Sequence, residues 1–227
     1  MMRVTTAAAI LLALASCGDD DGAVMCDLAA DGTCPAGCPT DPDCVPSEDS
    51  GTGGTDSATD FACDYPTGPY GTRAGRILEP FTLDQCDGTS YSFVNEDFCD
   101  PSHRLTVISI AAGWCMPCII ESQQLTEEIT ERYRADGVRV IQILTQDQNF
   151  REPTQDFCST WVERFNLTNV ELIDPAQITN IYFPDNALPS TIIVDSTGTI
   201  RFRENGAADG LLSLRSKIEE FLAEDAG

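Results

Sequence analysis

Cys115 and Cys118 stand two residues apart at the end of a hydrophobic run, in ISIAAGWCMPCIIES (residues 108–122). Such a pair can be a structural staple, half of a metal site, or a dithiol that exchanges with other disulfides. The setting favours the third. RLTVISIAA (Arg104–Ala112) is an apolar, β-branched run of the kind that forms a buried strand. After the pair, IIESQQLTEEITERYRADG spaces Leu125, Ile129 and Tyr133 four apart and then offers Gly137 as a helix stop. The cysteines therefore fall where a strand ends and a helix begins. There the positive end of the helix dipole and unpaired backbone N–H groups favour thiolate, the form that attacks disulfides. Pro117 suits a first helical turn, where its missing N–H costs nothing, and it stiffens the loop between the sulfurs.

The elements that must hold this junction alternate along the chain. Phe81–Phe93 (FTLDQCDGTSYSF) is two β-rich runs around Asp87-Gly88, a hairpin signal. Val138–Gln146 reads as a second buried strand. Pro153 is expected to begin another helix with Phe157, Trp161 and Phe165 on one face, and Val170–Asp174 to form a short strand. Thr191–Gly206 reads as a hairpin turning at Ser196-Thr197-Gly198. A last helix, Leu211–Ala223, is expected to turn Leu212, Ile218 and Phe221 inward. Together these predict an α/β fold, a mixed sheet flanked by helices on both faces with an N-terminal β-hairpin.

Trp114-Cys115-Met116-Pro117-Cys118, together with Leu188-Pro189-Ser190-Thr191 just before a strand, resembles the thioredoxin superfamily across residues 78–223. The leading hairpin, the insertion before Val170 and Glu121, three residues after Cys118, are similar to its TlpA/ResA-like branch of membrane-tethered, extracytoplasmic thiol–disulfide oxidoreductases. The resemblance implies a thioredoxin-like sheet with Cys115 as nucleophile and Cys118 as resolving thiol. It implies support from Trp114, Pro117 and Glu121, and a cis-proline loop at Leu188 and Pro189 that pairs with an extended substrate. Three positions depart from the family pattern. Ser109 replaces the buried aspartate six residues before the first cysteine, which puts proton relay at that position in doubt; the resemblance to this branch implies that Glu121 takes over that duty, an exposed helix glutamate being the alternative. Gln123 stands where many relatives carry a helix-kinking proline. Met116 replaces the histidine of strong oxidants, which removes a positive charge beside the thiolate and points towards reduction.

The chain's start and its other cysteines indicate an oxidising compartment. MMRVTTAAAILLALASCGDDDG has the charged and apolar regions of an export signal and ends in Leu-Ala-Ser-Cys, which resembles a bacterial lipobox. Residues 1–16 are accordingly expected to be a signal peptide, with lipid on Cys17 and Gly18 next to it. Residues 17–61 are expected to be an acidic Cys-rich stalk and a Gly/Ser/Thr linker, and residues 62–227 the thioredoxin-like domain. The location is then periplasm or cell surface, anchored to a bacterial membrane through lipid. Eleven cysteines less Cys17 leave ten, an even number. Cys26, Cys34, Cys38 and Cys44 cluster where little is apolar, so disulfides are expected there, in any of three connectivities. In the domain, Cys86–Cys99 would close a short local loop and Cys63–Cys158 a long one; a buried free thiol at Cys158 is the alternative.

Charge and missing residues argue against other classes, with a thiol peroxidase kept as an alternative. Gly18 to Phe61 holds eleven acidic residues and no Lys or Arg, and the chain carries a formal charge of −24, which argues against nucleic-acid binding. A thiol peroxidase of this fold needs a proline and a hydroxyl upstream of its cysteine, where Ile108 and Ala112 stand. A copper carrier wants a wider cysteine spacing and a later histidine, but the single histidine, His103, lies upstream and reads as a surface loop residue. Hydrolysis by a triad lacks a placed histidine. A tethered module with Cys115–Cys118 as a plain staple is the non-catalytic alternative. Nothing resembles a flavin or nicotinamide site, so no cofactor and no metal are expected. Electrons must then come from a membrane or exported donor, and the partners are protein thiols and disulfides, apocytochrome c among the candidates.

Overall fold

The computed structural model describes residues 62–182, 187–206 and 210–224. Seven strands form one sheet in the order β2-β1-β5-β4-β3-β6-β7. They are β1 (Thr82–Gln85), β2 (Ser90–Ser92), β3 (Leu105–Ala111), β4 (Val138–Leu144), β5 (Val170–Ile173), β6 (Ser190–Asp195) and β7 (Ile200–Asn205). The centre, β5-β4-β3, is parallel, and antiparallel pairs flank it on both sides. Every residue of β3 is buried, as expected for a strand covered on both faces. The mixed sheet, the helices and the leading hairpin agree with the fold class expected from the sequence.

The helices are α1 (Met116–Leu125), α2 (Glu131–Tyr133), α3 (Gln155–Phe165) and α4 (Leu212–Glu224). A π-helical turn, Thr126–Thr130, joins α1 to α2. The crossovers β3-α1-β4 and β4-α3-β5 step in the same direction along the sheet, so right-handed connections put α1 and α3 on one face. There they pack with α4 over Val107, Val140, Leu144 and Ile193. The opposite face carries Ile108, Ile110, Ile141, Ile143 and Ile192. Its cover is the leading segment around Tyr65 and Leu78 and the helical turns Val94–Phe98 and Ile178–Tyr182.

Four expectations are corrected. α3 starts at Gln155 and leaves Pro153 outside, because the Thr154 hydroxyl accepts from the Phe157 N–H at 3.2 Å and caps the helix. Leu212 is 60% exposed while Leu214, Ile218 and Phe221 face inward; that set keeps to spacings of four and three, and Leu212 does not. His103 is buried, its Nε2 2.7 Å from the Thr106 hydroxyl, and burial pushes its pKa down to about 4.

The fourth correction concerns the disulfides. Cys63 pairs with Cys99 and Cys86 with Cys158, at Cα separations of 5.6 and 5.1 Å. The Cys86–Cys99 and Cys63–Cys158 pairings are therefore wrong, and Cys158 is not a free thiol. The reason is the sheet. Cys86 and Cys158 pack with the helical face, whereas Cys99 packs on the opposite one. Cys99 ends the Val94–Phe98 turn, where the ring of Tyr65, two residues after Cys63, meets Phe98 at 4.6 Å. Cys17 and the Cys26, Cys34, Cys38 and Cys44 cluster lie outside the described residues, as do the signal and linker.

Candidate active site

β3 delivers the chain to the dithiol and α1 takes it away. Gly113 occupies the crossing, where a Cβ would meet the Gln148 nitrogen and the Phe157 ring, each at 2.6 Å, so only glycine lets the 147–148 backbone approach this closely. Cys115 is the N-cap of α1, and Pro117 lies in its first turn. Cys115 and Cys118 are joined in a disulfide, with a Cα separation of 5.2 Å. The Cys118 N–H points at the Cys115 sulfur from 3.2 Å. Once the pair is reduced, that N–H and the helix terminus stabilise negative charge on Cys115. Trp114 and Met116 are exposed on either side of it.

Glu121 follows Cys118 by one helical turn and is 3% exposed. It faces the sheet, where the Ser109 hydroxyl donates to its Oε1. Burial, reinforced by the charge of Glu204 and opposed by the Ser109 bond, lifts its pKa to about 7. Ser109 on β3 therefore holds the carboxyl group that α1 supplies. β3 pairs Ser109 with Gln142 on β4 and with Thr191 on β6, so these side chains share the face beneath α1. Gln142 Oε1 accepts from Ser122 Oγ at 3.0 Å and from Trp161 Nε1 at 2.8 Å, which ties α1 and α3 to the sheet. Neither Ser109 nor Gln142 is singled out by the sequence as a supporting group; the available signal is a polar residue alternating with apolar ones on a buried strand face.

The raised pKa has a signed consequence. Folded Glu121 holds its proton up to about pH 7, against the ordinary 4.5, so the folded state binds more protons than the unfolded state between those values. Stability is therefore lost as pH rises through that window, by up to about 3 kcal/mol. Glu121→Gln is expected to remove most of this loss. Denaturant titrations at pH 5 and pH 8 measure it, and an unchanged difference between the two would place the carboxylate in water.

The remaining expected residues gather at the same end of the sheet. Ser190 pairs with Ile110, so Pro189 lies beside the end of β3 where the dithiol loop departs. The Leu188–Pro189 bond is cis, and the Pro189 carbonyl accepts from the Gly206 N–H at 2.7 Å. Leu188 is half-buried against both core clusters. Trp114 donates from Nε1 to Gln146 Oε1 at 2.9 Å and stacks on Phe150. Among the described residues no group of three or more His, Cys, Asp or Glu side chains could hold a metal ion. Also among them, no helix is long and apolar enough to cross a membrane.

The redoxin family model matches residues 78–221, a span that holds all seven strands, α1 to α3 and most of α4. No curated protein matches the chain. Solved structures do. The thioredoxin domain of a thiol-disulfide oxidoreductase from Bacteroides vulgatus superposes with a TM-score of 0.52 at 15% identity, covering 66% of this chain and 98% of that one. A thiol-disulfide oxidoreductase from Bacteroides fragilis gives 0.51 at 19% identity, covering 63% and 98%. A thiol:disulfide interchange protein from Bacteroides sp. gives 0.52 at 16% identity, covering 66% and 91%. At these identities the likeness establishes the fold.

Proposed function

The chain belongs to the redoxin family of the thioredoxin superfamily, and on that premise we propose that it is an extracytoplasmic thiol–disulfide oxidoreductase working through Cys115 and Cys118. One observation carries the proposal. The two sulfurs sit at the N-terminus of α1, with a backbone N–H aimed at Cys115 and a buried carboxyl group one turn behind Cys118. A structural staple needs neither feature. In the reducing direction the Cys115 thiolate attacks a target disulfide, forming one S–S bond while the second target sulfur leaves as thiolate and takes up a proton. Cys118 passes its proton to Glu121 and attacks Cys115, releasing the target sulfur held in the mixed disulfide as a thiolate that takes up a proton, and closing the Cys115–Cys118 disulfide. Two electrons reach the target, and an exported or membrane dithiol donor must return them.

Trp114 shields one side of the pair, and Leu188, beside Pro189, offers backbone groups to an extended substrate strand. The targets are protein disulfides, with apocytochrome c one candidate among them. The absence of a charged residue between the cysteines supports the reducing direction. The full chain tests this directly: it is expected to catalyse reduction of a protein disulfide by a small dithiol, with a reduction potential in the reductase range. A Cys115–Cys118 pair that stays oxidised under excess dithiol, with no turnover, would make it an inert staple.

The sequence also supports a tether. Residues 1–16 serve as signal, Cys17 as lipid anchor, residues 17–61 as an acidic stalk and linker, and residues 62–227 as the working domain. Cys17→Ala is expected to move the protein from the membrane fraction to the soluble one, since it removes the acyl chains, several of which on one residue anchor far more firmly than a single chain. Retention of the variant in membranes would defeat the anchor assignment.

A further inference from the structure

Phe150 combines two features that cost stability and return none. It is 65% exposed, and its φ is +62°, in the left-handed region that bulky residues avoid. The surrounding loop nevertheless holds it there. Asp147 Oδ1 accepts from the N–H groups of Asn149 and Arg151 at 2.7 and 2.9 Å, and the Asp147 N–H donates to the Arg151 carbonyl at 2.8 Å. One side chain, Gln146, accepts from the Trp114 indole at 2.9 Å and donates to the Phe150 carbonyl at 3.3 Å. The two rings lie 5.0 Å apart with planes 17° from parallel. The result is a rigid pair of exposed aromatic rings, one of them belonging to the residue directly before Cys115.

We propose that Phe150, stacked on Trp114, is a specificity-determining residue that selects polypeptide disulfides whose cysteine is flanked by an aromatic side chain. The inference rests on the oxidoreductase reading above and names its substrate class. A target cysteine bonded to Cys115 brings its chain neighbours within a few ångströms of Trp114. An aromatic neighbour can then extend the stack onto the open surface of Phe150. Because the platform is already ordered, little side-chain freedom is lost on binding. A small anionic disulfide such as oxidised glutathione has no ring to stack and is repelled by a chain of formal charge −24.

The test compares two peptide disulfides that differ only in the residue beside one cysteine, phenylalanine or glycine. The full chain is expected to favour the phenylalanine peptide about five- to tenfold in kcat/KM, mainly through KM. Phe150→Ala is expected to bring the ratio close to one, and Phe150→Trp to keep it. A ratio near one in the unaltered chain, or a ratio that Phe150→Ala leaves intact, overturns the proposal. An equal loss on both peptides, carried in kcat, also overturns it, because the ring then acts through the dithiol. Hydroxyethyl disulfide reads the dithiol separately. Turnover of this probe without a peptide preference sinks the platform alone, whereas turnover of neither probe nor peptides sinks the oxidoreductase reading with it.

Discussion

Cys115→Ser is expected to cut catalysed reduction of a protein disulfide by roughly 10³-fold or more, because a serine hydroxyl is not ionised at neutral pH and attacks sulfur poorly. Cys118→Ser has a different signature. Cys115 keeps its place as the N-cap residue of α1, with the residue-118 N–H on its sulfur, so it can still attack. The resolving thiol is gone, and the reaction halts at a mixed disulfide. One equivalent of target is consumed per chain, and intact mass shows a covalent adduct that a reductant removes. The assignment of roles rests on position, since both sulfurs are buried in the oxidised pair. Cys115 lies between exposed Trp114 and Met116, whereas Cys118 lies on the inner face of α1, towards Glu121. Equal residual turnover in the two variants would refute the assignment, and an adduct formed through Cys118 in Cys115→Ser would reverse the roles.

The second large effect is on stability. Cys86–Cys158 spans 72 residues and Cys63–Cys99 spans 36. In the chain-entropy model each is worth roughly 4 kcal/mol. Cys86–Cys158 fastens the end of β1 to the buried side of α3, whose Cys158 is 0% exposed. It therefore joins the edge hairpin to the helix that packs on β5. Cys86→Ala with Cys158→Ala is expected to lower the melting temperature by roughly 10 °C, with dithiol turnover retained in the folded fraction. Scanning calorimetry with peptide mapping under non-reducing conditions checks both the size and the pairing. A loss below about 1 kcal/mol would mean that native packing alone holds the hairpin in place. Linkage of Cys86 or Cys158 to an active-site cysteine would overturn the scheme.

The pairing error shows where local reading stops. Cys86 and Cys99 are neighbours in sequence and invite a short loop, yet the hairpin sends Cys86 to the helical face while the Val94–Phe98 turn keeps Cys99 on the other. Nothing local in either cysteine's neighbourhood encodes that separation. The mistake over His103 has a similar origin. A lone histidine in Pro-Ser-His-Arg looks like loop surface, but it sits two residues before a fully buried strand, and the hydroxyl of Thr106 supplies its partner.

Glu121 lies at the boundary between the two kinds of information. Its place three residues after Cys118 was legible, and the family resemblance suggested a duty for it. Its burial was not, because α1 is weakly amphipathic and three of its large apolar residues, Met116, Ile119 and Ile120, remain partly or fully exposed.

By itself the sequence determined the dithiol, its strand-to-helix setting, the alternation of elements and the mixed sheet. Those features depend on neighbours a few residues apart: a β-branched run, a proline in a first turn, a glycine at a helix end. Only the tertiary structure decided which cysteines meet, that Ser109 holds the carboxyl group of Glu121, and that Phe150 stacks on Trp114. Each of these contacts joins separate elements, and which side chains meet depends on the face each element turns inward. That choice is made by burying the whole apolar surface of the sheet at once, on two sides, and no short segment contains it.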